Sequence, residues 1–251
     1  MVSPAISYRT NQGPRHPRKT PFFAGAGHLS YSVSIRMTPF LYALKLLLAG
    51  ALAATGMGQP QPASDAASRI FAASSEIGKT LPGSTEYDAA SGSYRVTGGG
   101  SDMWGTSDDF HLAWVKLSGD ATLTADLRFP PDAPAPLEKG VLIFRQSLDS
   151  SSAYADIALH ADGHATLQYR LKPGGITADV VAPQHAPTRL RIERRGNLFT
   201  TYTAIGDGPF TAFSSQTVAM TGPVYVGLGV CSHNASGLAT VTFSHVSLTQ
   251  P

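Results

Sequence analysis

The stretch AYADIALHADGHATLQYRL, residues 153–171, decides the fold because it contains a complete β-hairpin. Asp162-Gly163 is a turn dipeptide, and a three-residue loop with Gly163 in the left-handed region pairs His160 with His164. That register places apolar residues of the two strands opposite one another on one face: Leu159 with Ala165, Ile157 with Leu167, and Ala155 with Tyr169. A two-residue loop would set polar residues against apolar ones, so hydrophobic matching selects the first register.

The turns on either side extend this hairpin into a four-stranded meander. After the turn KPGG, residues 172–175, the register continues with these pairs: Leu171 with Ile176, Tyr169 with Ala178, and Leu167 with Val180. Before it, the turn DSSS, residues 149–152, predicts two further pairs: Phe144 with Ile157, and Leu142 with Leu159. This alignment puts Gln146 on the apolar face, which nothing in the sequence explains.

Short alternating runs separated by turns occupy the rest of the chain. In TLTADLRF, residues 122–129, every second residue is apolar, the pattern of a strand with one buried face. The candidate strands are 94–97, 110–117, 122–129, 141–148, 153–160, 164–171, 176–181, 189–194, 198–204, 224–231 and 239–248. These strands, without a long helical pattern, predict an all-β antiparallel β-sandwich in a single domain.

The N-terminal quarter differs in composition from the rest. Residues 1–36 contain no acidic residue and no apolar periodicity, and we interpret them as an over-called or disordered extension. Residues 37–58 combine a short apolar run with the A-x-A match Ala51-Leu52-Ala53, a pattern typical of a signal peptide; a membrane anchor is the alternative. Residues 59–74 are then a linker and 75–249 the sandwich domain, which is secreted or periplasmic and has no membrane span after cleavage.

The charge pattern argues against nucleic acid as a partner. The chain has 19 basic and 17 acidic residues, but its first 64 residues hold six basic residues and no acidic one. The remainder therefore carries about four net negative charges, which disfavours binding to a polyphosphate backbone. The single cysteine, Cys231, lies in the apolar run VYVGLGVCS, so we expect a buried structural thiol without a disulfide.

The sequence contains none of several enzyme signatures. G-x-S-x-G, H-E-x-x-H and G-x-x-x-x-G-K-[ST] are absent. The four glutamates are scattered, and the E-x-D-x-E strand that commonly supplies the carboxylate pair of sandwich-type glycosidases is missing. No catalytic residue is therefore assigned.

Three aspartates in the segment GGGSDMWGTSDDFHLAW, residues 98–114, are candidate cation ligands. Asp102, Asp108 and Asp109 offer the oxygen atoms that Ca²⁺ prefers, but their spacing matches no known loop. Hydrogen bonds of Asp102 and Asp108 within their own turns are the favoured interpretation, so no cofactor is expected and Ca²⁺ remains the alternative.

The aromatic residues of the same segment divide between core and surface. Trp114 shares an alternating face with Phe110 and Leu112 and is expected in the core, whereas His111 alternates to the surface. Trp104 has glycine and polar neighbours, so it is a candidate for stacking on a sugar ring.

Several of these segments together resemble a known family. The matching elements are the D-x-W-G turn at 102–105, the G-V-x-I-x-R strand at 140–145 and the V-G-L-x-V-x-S-H run at 226–233. The chain resembles bacterial exported modules with a concanavalin A-like lectin/glucanase fold, related to the "regulation of enolase" family of unknown function. The resemblance implies a jelly-roll sandwich. Such modules are often joined to TolB-like propellers and have no agreed catalytic residues, while a related sandwich family acts as 3-keto-disaccharide hydrolases.

The polar face of the meander is the candidate ligand site. The residues expected to line it are Arg145, Tyr154, Asp156, His160, Gln168 and Arg170, with Trp104 added from the upstream turn. Gln168 and Arg170 would hydrogen-bond hydroxyl groups while Tyr154 stacks on a sugar ring. We expect Arg145 and Asp156 to form a cross-strand ion pair.

Three functions are compatible with this pattern. The first is a noncatalytic, lectin-like module that binds carbohydrate or a cell-envelope polymer. The second is a hydrolase or lyase acting on a sugar derivative, with His160 or Asp156 as general base. The third is a structural module that contacts other envelope proteins.

Overall fold

The computed structural model of the protein describes residues 68–131 and 135–251. The predicted extension and signal peptide, and most of the predicted linker, lie outside the described residues. The described part consists of strands, turns and loops without an α-helix. No helix there is long and apolar enough to cross a membrane.

Sixteen strands form the described part of the chain. Their bounds are β1 Ala73–Ile77, β2 Ser84–Asp88, β3 Ser93–Gly100, β4 Met103–Trp104, β5 Ser107–Asp108, β6 Phe110–Leu117, β7 Ala121–Arg128, β8 Lys139–Arg145, β9 Tyr154–His160, β10 Ala165–Arg170, β11 Ala178–Val181, β12 Arg189–Arg195, β13 Leu198–Ala204, β14 Thr211–Thr217, β15 Val224–Cys231 and β16 Asn234–Thr249. Every run predicted from the sequence corresponds to a strand. The strands that were not predicted are polar or very short: β1, β2, β4, β5 and β14.

Two seven-stranded antiparallel sheets stack into a sandwich. Sheet A has the order β1-β6-β15-β8-β9-β10-β11, and sheet B has the order β14-β13-β12-β7-β16-β3-β2. The short β4–β5 hairpin forms a third, separate ladder. The predicted fold class, an all-β antiparallel sandwich, is confirmed.

The core between the sheets is built from the alternating faces of their strands. On β7 of sheet B the inward residues are Ala121, Leu123, Ala125 and Leu127. They belong to the same buried cluster as Leu142, Phe144 and Ile157 of sheet A. Burying a leucine or phenylalanine side chain contributes about 1.5–3 kcal/mol, so this interface is the main source of stability.

The register of the hairpin at 153–171 is confirmed. Leu159 pairs with Ala165, Ile157 with Leu167, and Ala155 with Tyr169. Gly163 has a φ of 93°, and the His160 amide donates to the His164 carbonyl at 2.9 Å. On the other side, β11 pairs Val180 with Leu167 and Ala178 with Tyr169, also as predicted.

The predicted alignment of β8 with β9 is wrong by two residues. Leu142 pairs with Ile157 and Phe144 with Ala155, because β8 ends at Arg145 and a longer loop follows. Gln146 lies beyond the strand, where its side chain bonds both the amide and the carbonyl of Thr221. Gln146 is therefore not on the apolar face, and the difficulty left by the predicted alignment is removed.

The predicted facing of β6 is also wrong. Ala113 packs in the core between the sheets, while Phe110 and Leu112 lie in a second apolar cluster on the opposite face of sheet A, with Trp114 half-buried at its edge. His111, expected at the surface, is buried with its Nδ1 2.7 Å from Glu76 Oε1. Both faces of β6 are covered, so its alternation does not separate core from solvent.

Candidate functional site

A hairpin and a loop cover the face of sheet A that is turned away from sheet B, which we name the outer face. The β4–β5 hairpin lies over it, since the Thr177 amide donates to Gly105 O at 2.8 Å. The loop after β8 joins the same cover through the Asp108 amide, which donates to Ser150 O at 3.0 Å. Polar side chains of β8, β9 and β10 are enclosed beneath.

Six of the seven predicted site residues meet on this outer face. They are Arg145, Tyr154, Asp156, His160, Gln168 and Arg170, each no more than 5% exposed. The strand register sets Tyr154 between Arg145 and Arg170, and Asp156 beside Gln168. Trp104 stands apart on β4 and is 40% exposed. The residues are thus adjacent as expected, but they are enclosed by the protein.

One half of the outer face is an ion cluster formed by Asp108, Arg145 and Arg170. Both Asp108 oxygens accept from Arg170, at 2.7 and 2.9 Å, and Oδ2 lies 3.4 Å from Arg145 Nη1. Arg145 also donates from Nε to Ser147 O at 2.7 Å. The expected pair between Arg145 and Asp156 is absent from the described residues, because Asp108, brought in by β5, supplies the carboxylate instead.

The ion cluster is a structural device in which nearly every group has a partner. Burial raises the pKa of Asp108, while the hydrogen bond from Arg170 and the charge of Arg145 act in the opposite direction. The Arg170 guanidinium also lies 5.0 Å from the centre of the Tyr154 ring, so one face of that ring is occupied. Removing one partner would leave a buried charge uncompensated, which costs more than the pair contributes.

The other half of the outer face holds an unpaired cluster, formed by Asp156, His160, Thr166 and Gln168. Five buried polar atoms in it have no hydrogen-bond partner among the described residues: both Asp156 carboxyl oxygens, His160 Nδ1, Thr166 Oγ1 and Gln168 Oε1. Buried polar groups are nearly always hydrogen-bonded, and leaving one unpaired costs about 1–3 kcal/mol. These atoms lack a partner among the described residues, and because they are fully buried, a ligand reaches them only if the cover moves.

The unpaired cluster is neutral in character. Burial raises the pKa of Asp156 well above its ordinary value. Burial, together with the charges of Lys139 and His164, lowers the pKa of His160 to about 3. Near pH 7 the imidazole is therefore uncharged, and the carboxyl is driven toward its protonated form. Groups of this kind suit the hydroxyls of an uncharged ligand better than an ion.

An aromatic ledge, which sequence reasoning missed, borders the outer face on β6 and β15. The ring centres of Trp114 and Tyr225 are 4.9 Å apart, with planes at 74°, and Lys116 Nζ lies 4.8 Å from the centre of the Tyr225 ring. Both aromatic rings are half-buried. The signal was present in the alternation of Tyr225 with Gly227, which leaves an aromatic ring beside a position without a side chain.

The aspartates of the turn before β6 are held by the protein. Asp102 Oδ1 accepts from the Met103 amide at 2.7 Å and from Lys139 Nζ at 2.8 Å, and Asp109 accepts from the Lys79 amide at 2.7 Å. Asp108, expected to bond within its own turn, instead lies in the ion cluster. Within residues 68–131 and 135–251, no three His, Cys, Asp or Glu side chains are arranged to hold a metal ion.

Cys231 is buried as predicted. Burial raises the pKa of its thiol to about 11, and its Sγ lies 3.5 Å from Gly100 O. Since the thiolate is the reactive form, this cysteine is chemically inert near neutral pH.

Comparison with known proteins identifies the architecture. No family model and no curated protein sequence matches the chain. Among solved structures, a functionally unknown protein from Saccharomyces cerevisiae is similar with a TM-score of 0.53 and 20% identity, over 71% of this chain and 96% of that one. The carbohydrate binding module CBM66 from Bacillus subtilis gives 0.49 and 16%, over 70% and 95%. The beta-glucanase of Bacillus licheniformis gives 0.43 and 11%, over 71% and 92%. The similarity to the yeast protein concerns the fold alone, and the described part of the chain is an all-β antiparallel sandwich.

Proposed function

We propose that the protein is a noncatalytic carbohydrate-binding module that takes its ligand on the outer face of sheet A. The observation that carries this proposal is the unpaired cluster, whose carboxyl, imidazole, hydroxyl and amide groups lie on two adjacent strands. A sugar ring presents several hydroxyls, each able to donate and accept, and so complements such a set.

The position of the aromatic ledge favours a polysaccharide over a single sugar as the ligand. Trp114 and Asp156 lie in the same row of sheet A, separated by β15 and β8. Three strand spacings make that separation about 14 Å, which exceeds the size of one sugar ring. A polysaccharide is therefore long enough to stack one sugar ring on the aromatic ledge and to hydrogen-bond the unpaired cluster with another.

Access to the unpaired cluster requires the cover to move. The β4–β5 hairpin contributes Trp104 at its exposed corner, and Arg170 donates to the carbonyls of Trp104 and Gly105 at 3.4 Å. These long bonds are weak compared with the 2.7–2.9 Å bonds that hold Asp108. Arg170 therefore holds the hairpin tip less firmly than it holds Asp108, and the main bond that must break at the tip is the one from the Thr177 amide to Gly105 O.

A binding panel tests this proposal. The purified domain would be applied to a glycan array and to insoluble cell-wall fractions, and binding would be compared with a Gln168→Leu variant. We expect the substitution to weaken binding about tenfold, since one hydrogen bond to the ligand is worth about 1–1.5 kcal/mol. Gln216→Leu, at a partly exposed glutamine on β14 of sheet B, is the control. Absence of binding by the unmodified protein, or equal losses in both variants, would overturn the proposal.

A hydrolase or lyase of the 3-keto-disaccharide type is the second candidate, and one observation favours it. The raised pKa of Asp156 is what a general acid requires, so this residue would donate a proton rather than act as a base. Release of reducing sugar from a bound glycan, abolished in Asp156→Asn, would establish this activity. Binding without product release leaves the noncatalytic proposal in place.

The cellular setting belongs to the same proposal. We place the mature domain outside the cytoplasm, as a distant member of the "regulation of enolase" group, in contact with an envelope polymer and with other envelope proteins such as TolB-like propellers. The motivating features are the signal-like segment at 37–58 and the quoted motifs. Mass spectrometry of the protein recovered from the culture medium or periplasm would check it, with a new N-terminus expected near Thr55.

A further inference from the structure

Strand β12 carries a row of charged residues on the exposed face of sheet B, on the other side of the sandwich from the unpaired cluster. In RLRIERR, residues 189–195, Leu190 and Ile192 point into the core. The residues that alternate with them are Arg189, Arg191, Glu193 and Arg195. The net negative charge of the domain conceals this local excess of arginine.

Arg191 differs from the other two arginines of the row because it has no carboxylate partner. Arg189 Nε lies 3.2 Å from Asp126 Oδ1, and Arg195 Nη2 lies 3.9 Å from Glu193 Oε2. Among the described residues, Arg191 makes no ion pair, and its one hydrogen bond runs from Nε to Thr124 Oγ1 at 3.4 Å. The two terminal nitrogens of its guanidinium therefore remain free to donate.

Aromatic rings hold the Arg191 guanidinium in place. Its central carbon lies 4.0 Å from the centre of the Phe210 ring and 5.8 Å from that of Tyr202. Arg189 also lies over Phe210, at 5.1 Å. A guanidinium held by stacking loses less freedom when it binds, and its planar fork matches the two oxygens of a carboxylate.

Hydroxyl groups surround this fork. Thr124 and Tyr202 are the direct cross-strand neighbours of Arg191. One row further along, Thr122 and Thr200 flank Glu193, and Thr200 Oγ1 lies 3.0 Å from Ser215 Oγ. A ligand that places one carboxylate among several hydroxyls matches this surface.

We propose that the exposed face around Arg191 binds a carboxylate-bearing polysaccharide, with Arg191 gripping the uronate group and Phe210 holding the guanidinium flat. A densely charged phosphate polymer fits less well, because Asp126 and Glu193 stand on either side of Arg191 and would repel it. Sugar hydroxyls, in contrast, can donate to those carboxylates. This site is separate from the outer face of sheet A and does not depend on the function proposed for that face.

Affinity electrophoresis in gels containing polygalacturonate tests this site. We expect the domain to be retarded in the acidic polymer and to migrate freely in the fully methyl-esterified polymer, which lacks the charge. Arg191→Lys keeps the positive charge but loses the planar fork, so it should weaken retardation about tenfold, the equivalent of about 1.4 kcal/mol. Phe210→Leu should weaken it less.

Matched controls separate this site from general charge and from stability. Arg95→Ala removes an arginine from β3 of the same sheet, and retardation should be unchanged. Thermal unfolding of Arg191→Lys should match the parent, which excludes a purely structural role for the stack. The proposal fails if polygalacturonate does not retard the parent protein, if Arg191→Lys has no effect, if Arg95→Ala has an equal effect, or if inorganic polyphosphate or DNA binds more tightly. A negative result in this experiment would not affect the proposal for the outer face of sheet A. That proposal is tested separately, by the effect of Gln168→Leu on the binding of an uncharged glycan.

Discussion

The two halves of the outer face of sheet A handle buried polarity in opposite ways. In the ion cluster a single carboxylate, Asp108, is shared by two buried guanidiniums, and the other donors reach backbone carbonyls or the Thr177 hydroxyl, except Arg170 Nε, which has no partner among the described residues. In the unpaired cluster, two strand positions away, five buried side-chain atoms of Asp156 and its neighbours have no hydrogen-bond partner among the described residues. The ion cluster therefore stabilises the fold, whereas the polar groups of the unpaired cluster lower the stability of the protein that buries them.

The largest expected difference between the halves is in the response to neutralising their carboxyls. Asp108→Asn should lower the free energy of unfolding by about 3–5 kcal/mol, because it leaves two buried arginines without a counter-charge. Asp156→Asn should leave it unchanged or raise it by up to about 1 kcal/mol, because no ion pair is lost. Urea denaturation at pH 7 would measure both, and equal destabilisation would contradict the division into two halves.

A smaller difference should appear in the pH dependence of stability. Since burial lowers the pKa of His160 to about 3, the unfolded chain binds a proton below about pH 6.5 that the folded protein does not. Unfolding then becomes more favourable as the pH falls, by about 3 kcal/mol between pH 7 and 4. His160→Gln should remove that part of the acid slope. Lys139, His164 and Asp162, which act on His160, remain in both proteins, so a slope unchanged by the substitution would show that His160 is accessible to protons in the folded state.

The contribution of Asp156 to the pH dependence of stability should have the opposite sign to that of His160. Its folded pKa is raised, so the stability associated with it is fully present below the unfolded pKa of about 3.9 and is lost as the pH rises through the folded value. The advantage of Asp156→Asn over the parent should accordingly be greater at pH 8 than at pH 4. An advantage that did not change with pH would show that burial does not perturb this carboxyl.

The smallest and most discriminating test exchanges two buried threonines for valine. Thr166 has an unpaired hydroxyl, so Thr166→Val should stabilise the protein by up to about 1 kcal/mol. The Thr177 hydroxyl accepts from Arg170 Nη2 at 3.1 Å and lies 3.3 Å from the Tyr154 hydroxyl, so Thr177→Val should destabilise it by about 1 kcal/mol. Thermal unfolding would resolve shifts of opposite sign, and shifts of the same sign would contradict the comparison.

Local turn chemistry explains why part of the fold could be predicted. Asp162-Gly163 fixes both the loop length and the face of each strand, and the observed pairing of Ile157 with Leu167 follows from it. The alignment of β8 was predicted less well, because the loop at 146–153 has no equally restrictive turn. A segment without a glycine at a defined position leaves the register to packing, which the sequence alone does not specify.

Burial on both faces explains the error at β6. An alternating strand reveals its inner face only when the other face meets water, and here Phe110 and Ala113 are both fully buried. The pairing of Asp108 with Arg145 and Arg170 was equally invisible. It joins residues 37 and 62 positions apart, and no local pattern records such contacts.

The position of β16 has a consequence for how the chain acquires its structure. This last strand lies in the interior of sheet B, paired with β7 on one side and β3 on the other. Sheet B therefore cannot close until β16 is available, and until then the edges of β7 and β3 that β16 covers are unpaired. Folding of such non-local strand pairs is slow. The fold of the domain is thus completed only by its last described strand, and a chain shortened before β16 should not form a closed sheet B.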